Sequence, residues 1–165
     1  MKSIFLARHA KSSWKESDLE DYERPLNKRG KRDAPFMGAL LAQKNILPDL
    51  IVSSRAQRAK ITAEIYAESL GFPIENILWS EELYLEPLSE IAGFVKDLDD
   101  SIESVLLVAH NPGLTSFANF LVHSRIDNIP TCGVLGINFP INEWSSLAEG
   151  SGELIFYEYP KKYFR

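Results

Sequence analysis

Apolar and polar positions alternate along the chain in blocks that predict strands and helices in turn. The first block, Ser3-Ile4-Phe5-Leu6-Ala7, is short, rich in β-formers and followed by polar residues. It predicts a buried strand with Arg8 and His9 at its C-terminal end. Pro48 to Ser53 and Ile74 to Trp79 predict two more strands, and Val105 to Ala109 a fourth that runs into His110-Asn111-Pro112-Gly113. Between them, apolar residues recur at helical spacing. Ala34, Met37, Leu40 and Leu41 mark a helix reaching about Lys44, Ala59, Ala63, Tyr66 and Leu70 a second, Leu88, Ile91, Val95 and Leu98 a third, and Leu114, Phe117, Ala118 and Leu121 a fourth.

Polar residues set the boundaries. Lys11 to Lys31 is dense in charge and predicts loop or exposed helix start, with Asn27 as a helix cap. Pro35 removes a backbone donor, so the first helix is expected to kink there or to start properly only at Asp33. Ser54 is the expected cap of the second helix, which Gly71 and Pro73 close. Two late strands, Val134 to Phe139 and Leu154 to Tyr159, have only loop between them and predict an antiparallel edge pair. The sum is one α/β domain over residues 1–165, a three-layer fold whose mixed, mostly parallel sheet carries helices on both faces.

Composition narrows the function classes. At 165 residues the chain can bury a large core without disulfides or metals. A net charge of −5 argues against nonspecific nucleic-acid binding, which needs many Lys/Arg contacts to phosphates. No apolar stretch reaches the ~18 residues of a membrane span, and the first strand is too short for a signal-peptide core, so no membrane partner is expected and the cytoplasm is the expected compartment. Cys132 is the only cysteine. It can form no intrachain disulfide, cannot build a zinc site alone, and reads as a small buried residue near a strand.

The chemistry gathers at strand ends, where α/β sheets bind ligands. His9, His110 and the basic pair Arg55 and Arg58 are expected to converge on one crevice. Guanidinium groups around an anion, helped by the positive end of a helix, describe a phosphate pocket. Nearby arginines also disfavour a charged imidazole, leaving a nitrogen free to act as nucleophile. A metal held by His9 and His110 is disfavoured because Arg8 would repel a cation, so neither metal nor cofactor is expected. His123 reads as a helix end and Trp14 as an ordinary, partly buried aromatic.

Several segments resemble the histidine phosphatase superfamily, which includes phosphoglycerate mutases. Leu6-Ala7-Arg8-His9-Ala10 is similar to its Arg-His-Gly signature, with Ala10 in place of the glycine. Ser53-Ser54-Arg55-Ala56-Gln57-Arg58-Ala59-Lys60-Ile61-Thr62-Ala63 resembles Ser-Pro-x-x-Arg-Ala-x-x-Thr-Ala, a register that places the phosphate-binding arginine at Arg58 rather than Arg55. Val108 to Leu114 resembles the second-histidine motif in the form of the small phosphohistidine phosphatases of the SixA type. Arg24-Pro25-Leu26-Asn27-x-x-Gly30 and Ile129-Pro130-Thr131 are further likenesses. The resemblance implies a phosphoglycerate mutase-like fold and a metal-independent phosphatase. His9 would attack phosphorus and become a transient phosphohistidine, while Arg8, Arg58 and His110 hold the equatorial oxygens and Asn111 adds a donor.

Family enzymes acting on alkyl phosphates place a carboxylate after the third strand as general acid. Here Glu81, Glu82 and Glu86 are the candidates, yet none has the usual Leu-x-Glu spacing, and in the register set by Leu83 it is Leu85 that takes the acid's place. That departure favours a nitrogen leaving group, and the short chain leaves little room for a cap over the pocket. The expected substrate is a phosphorylated protein, through phosphohistidine. A small phosphoester, cleaved by a phosphomonoesterase of the same superfamily, is the enzymatic alternative, and a phosphate-binding module without turnover is the alternative of another class.

Overall fold

A computed structural model describes residues 1–15, 18–85, 87–123 and 125–164. Six strands form one sheet: β1 (Lys2–Arg8), β2 (Leu50–Ser53), β3 (Leu78–Trp79), β4 (Ser104–Ala109), β5 (Val134–Phe139) and β6 (Glu153–Glu158), in the order β3-β2-β4-β1-β5-β6. The first four pair in parallel, and β5 and β6 add antiparallel at the β1 edge. Four helices cover it: α1 (Lys28–Gln43), α2 (Gln57–Leu70), α3 (Leu88–Lys96) and α4 (Gly113–Leu121).

Strand side chains alternate between two faces, and apolar runs that bury both faces make two cores. Ile4, Leu6, Val105, Leu107 and Val52 pack with Ile91, Val95, Leu114 and Phe117 of α3 and α4. Ala7, Leu106, Val108 and Ile51 pack with Ala34, Met37, Ala59, Ala63 and Tyr66 of α1 and α2. The parallel crossovers therefore place one helix pair on each face, as the periodicity predicts.

Local chemistry differs from expectation at three places. α1 runs without interruption from Lys28 through Pro35, rather than starting at Asp33. Asn27 caps it by accepting from the Gly30 amide at 2.9 Å, and burial of Asp33, Ala34, Met37 and Gly38 outweighs the one backbone bond that Pro35 forfeits. Gly30 itself lies against the Lys11 carbonyl, so closely that a Cβ would stand 2.2 Å from that oxygen. The Arg24-to-Gly30 motif thus ties the helix start to the segment leaving β1. Residues 74–79 form a 3-10 turn (Ile74–Asn76) before a strand of only two residues, because this edge strand pairs only with β2. The third exception is Ser54, which does not cap α2: the cap position is Ala56, with no side-chain bond.

No helix among the described residues is long and apolar enough to cross a membrane. Cys132 is fully buried, and burial pushes its thiol up to about 12.

Candidate active site

Register brings the chemistry together. Arg8 stands opposite Ala109 and Ser53 opposite Val108, so β1, β2 and β4 end level with one another. The next residue of each strand, His9, Ser54 and His110, leaves the sheet at the same edge. His9 and His110 come from adjacent strands, and their ring centroids lie 4.9 Å apart.

A cavity of about 240 Å³ opens over them, lined by Arg8, His9, Arg24, Arg58, His110 and Asn111 together with Lys11, Ser12, Trp14, Asp21, Leu85 and Thr131. The His9 Nδ1 lies 2.7 Å from the Ala10 carbonyl. A carbonyl only accepts, so Nδ1 carries the proton and donates, leaving the Nε2 lone pair free. His110 Nε2 meets Ser54 Oγ at 2.7 Å, while its buried Nδ1 has no hydrogen-bond partner among the described residues. With Ser54 donating to Nε2, the His110 proton resides on Nδ1, where it can be given to an anion.

Burial holds both imidazoles neutral. Desolvation is the larger cause, and the positive charges of Arg58, Arg8 and Arg24 add to it, so His9 is lowered to about 3. His110 is lowered to about 2 by burial first, then by His9 and Arg58. The arginines thus contribute as the sequence implies, but burial contributes more. Because these folded-state values lie below the ordinary 6.5, protonation favours the unfolded chain. The associated stability is complete above pH 6.5 and is lost as pH falls toward 3, by about 1.4 kcal/mol per pH unit for each histidine. Urea unfolding between pH 7 and 4.5 is expected to show a steeper decline for the wild type than for a His9→Gln/His110→Gln double variant. Equal slopes would show that the imidazoles titrate normally in the folded protein.

Arg58, in the first turn of α2, is 4% exposed and lines the cavity. Arg55 precedes that helix and points outward to Glu81 at 3.5 Å, with both side chains more than half exposed. The two arginines therefore differ in direction as well as in depth. Arg8 reaches the cavity with its Nη1 donating to the Ile129 carbonyl at 2.9 Å, which gives the Ile129-Pro130-Thr131 motif a structural role. Arg24 is also a cavity residue; its Nη2 donates to Ser12 Oγ, and its guanidinium lies 3.2 Å over the Trp14 ring. Trp14 is not partly buried as expected but 72% exposed at the cavity mouth, since Arg24 covers only one face of it.

Asn111 shapes the cavity with its polar atoms already engaged. Its Nδ2 donates to Asn128 Oδ1 and the Ile129 carbonyl, and its Oδ1 accepts from the amide and hydroxyl of Thr115. His123 follows α4 and lines a separate hollow.

Two of the three candidate acids lie elsewhere. Glu81 is held by Arg55 and Tyr22 at the surface. Glu82 accepts from Ser80 Oγ at 2.5 Å and faces a different hollow beside Leu78 and Ser89. Glu86 lies outside the described residues. Leu85, the residue in the acid's register, does line the cavity. Among the described lining residues, the one carboxylate is Asp21, which the sequence reading did not single out. Nothing local marks it, because it sits in a charged loop like its neighbours.

The sheet edge therefore presents two neighbouring neutral imidazoles in a cavity that three guanidinium groups also line, an arrangement chemically suited to an oxyanion. The model of the histidine phosphatase superfamily (branch 1) matches residues 4–83. An uncharacterised chloroplast protein of Arabidopsis thaliana is 30% identical over 161 residues, which cover 92% of this chain and 72% of that protein. The structure of the protein histidine phosphatase SixA complexed with tungstate superposes with a TM-score of 0.83 at 19% identity, over 97% of this chain and 98% of that one. A SixA structure from Agrobacterium tumefaciens gives a TM-score of 0.82 at 24% identity, over 96% of this chain and 98% of that one. At these identities the structural likenesses establish the fold, which is phosphoglycerate mutase-like. The chain belongs to the histidine phosphatase superfamily.

Proposed function

We propose that this protein is a phosphatase that transfers a phosphoryl group to His9 and then to water, with protein phosphohistidine as substrate. The observation that carries the reading is the His9 ring itself. Its Nδ1–H is fixed on the Ala10 carbonyl, and its free Nε2 belongs to a buried neutral imidazole in a cavity lined by three arginines. A nucleophile needs an unshared pair, and a phosphoryl group needs positive charge around its equatorial oxygens. Arg8, Arg58 and His110 are read as that clamp, with Arg24 a fourth donor that the resemblance does not assign. Asn111 is read as supporting the loop rather than binding substrate, because both its amide hydrogens are already donated.

Two observations support a phosphoramidate over an alkyl ester. The position that would carry the family's acid is Leu85, which cannot protonate an alkoxide. Trp14 lines the cavity and is 72% exposed, an aromatic surface available to a phosphorylated protein. That the SixA structure is complexed with tungstate, a phosphate-like oxyanion, accords with an oxyanion ligand.

The test compares kcat/KM on a phosphohistidine-bearing protein with that on sugar phosphates. Preference for the phosphoprotein is the expected result. Faster turnover of the sugars would replace this reading with a small-molecule phosphomonoesterase, and no turnover of either, with oxyanion binding retained, would leave a binding module.

A further inference from the structure

Asp21 opens a 3-10 turn (Asp21–Glu23) and lines the cavity. Its backbone carbonyl accepts from Arg58 Nη1 at 2.7 Å, and its Oδ2 accepts from Arg58 Nη2 at 3.0 Å and from the Tyr84 hydroxyl at 2.8 Å. Its Oδ1 accepts from Arg24 Nη1 at 3.1 Å. Four hydrogen bonds from three side chains fix this residue.

Depth tells what such a carboxylate can meet. His9 is 7% exposed, whereas the Asp21 side chain is 41% exposed, so the imidazole lies at the floor and the carboxylate toward the mouth. Phosphoryl transfer runs in line, with nucleophile and leaving group on opposite sides of phosphorus. A group attacked from the floor departs toward the mouth. We propose that the Asp21 carboxylate receives the N–H of the departing imidazole and so selects a protonated nitrogen leaving group. This rests on the phosphatase reading of the same site and adds the chemistry of the group that leaves.

The protonation state agrees with that geometry. Burial alone would raise the Asp21 carboxyl, but the bonds from Tyr84 and Arg58 and the charges of Arg58 and Arg24 outweigh it and hold the group below its ordinary value. An ionised carboxylate has no proton to give an alkoxide. It can accept the N–H of a phosphoimidazole ring protonated on its distal nitrogen. The His9 Nε2–P bond then forms as the P–N bond breaks, and the electron pair of that bond returns to the substrate ring. The ring leaves as neutral imidazole, keeping its distal proton, and Asp21 stays ionised. Water next attacks the phosphorus on His9, the N–P bond returns its pair to Nε2, and the protons of water remain with the released phosphate and bulk solvent.

The experiment compares wild type with Asp21→Asn, which keeps the shape and removes the charge, on N-phosphoimidazole and on p-nitrophenyl phosphate, whose leaving group needs no proton. A charge-assisted hydrogen bond is worth about 1.5–3 kcal/mol, so its loss alone is expected to lower kcat/KM on phosphoimidazole about 10- to 100-fold. Because Asp21 also holds Arg24 and Arg58, the variant is expected to lose some turnover on both substrates, with the loss on phosphoimidazole exceeding that on p-nitrophenyl phosphate about 10- to 100-fold. The pH profile supplies a second readout, because an anion beside the protonated ring favours its charged form. The alkaline fall in phosphoimidazole turnover is expected at lower pH in the variant. Equal losses on both substrates would mean that Asp21 only positions Arg24 and Arg58, and an unchanged rate and profile on phosphoimidazole would mean that it does nothing for the leaving group. Either result overturns the proposal, as does a wild type that cleaves p-nitrophenyl phosphate but leaves phosphoimidazole intact. A wild type active on phosphoimidazole but not on phosphohistidine proteins would instead defeat the protein-substrate reading, with the Asp21 assignment still decided by the variant.

Discussion

Wild type is expected to form an acid-labile phosphoenzyme with an aryl phosphate, and replacing His9 by alanine is expected to abolish it and to lower turnover by at least about 10⁴-fold. The size of the loss follows from what the ring does in this reading. It supplies the bond through which phosphorus reaches the protein. His110, the nearest alternative, has its Nε2 engaged with Ser54 and is read as carrying its proton on Nδ1. The variant should still bind tungstate, because the guanidinium groups remain. Rapid-quench labelling with phosphate retained on the protein would check the result. A His9→Ala protein that still forms a phosphoenzyme would move the nucleophile elsewhere.

Arg58→Ala is expected to cost about 10²- to 10³-fold in kcat/KM, the range seen when one donor to a developing charge is removed. Arg55→Ala is expected to leave kcat/KM within a factor of about three. The two residues lie three positions apart, yet only Arg58 enters the cavity, while Arg55 forms an exposed pair with Glu81 that is worth little in water. Arg58 also donates to the Asp21 carbonyl and to its carboxylate, so its loss leaves that carboxylate, still held by Tyr84 and Arg24, less neutralised within the cavity. Thermal unfolding separates this from a general loss of structure, and Arg58→Lys should recover only part of the activity because a point charge cannot reproduce the planar fork. Equal losses at Arg55 and Arg58 would overturn the assignment of roles.

Much of this was readable from the chain. The strand that ends in Arg8 and His9, the one that ends in His110, the antiparallel pair at the edge and the buried stripe Ala59, Ala63, Tyr66 and Leu70 all appear where periodicity places them. These are local or period-based signals, and the packing of two sheet faces reinforces them. Pro35 misled because the proline cost is local whereas the burial that overrides it comes from α2. Ile74 to Trp79 misled because an edge strand with one neighbour needs only the residues that pair.

Alternation and strand length decide where each strand stops, and so the chain alone dictates which residue types stand at the ends of the parallel strands. It could not determine which side chains meet beyond those ends. Ser54 finds His110 across 56 residues, Asp21 finds Arg58 across 37, and Tyr84 finds Asp21 across 63. Each of these contacts depends on strand register and on the path of a loop over the sheet edge, quantities set by the packing of the whole layer. Packing of the whole layer therefore set Glu81 and Glu82 away from the cavity and Asp21 into its lining, whereas the choice of Arg58 over Arg55 was already given by the motif register.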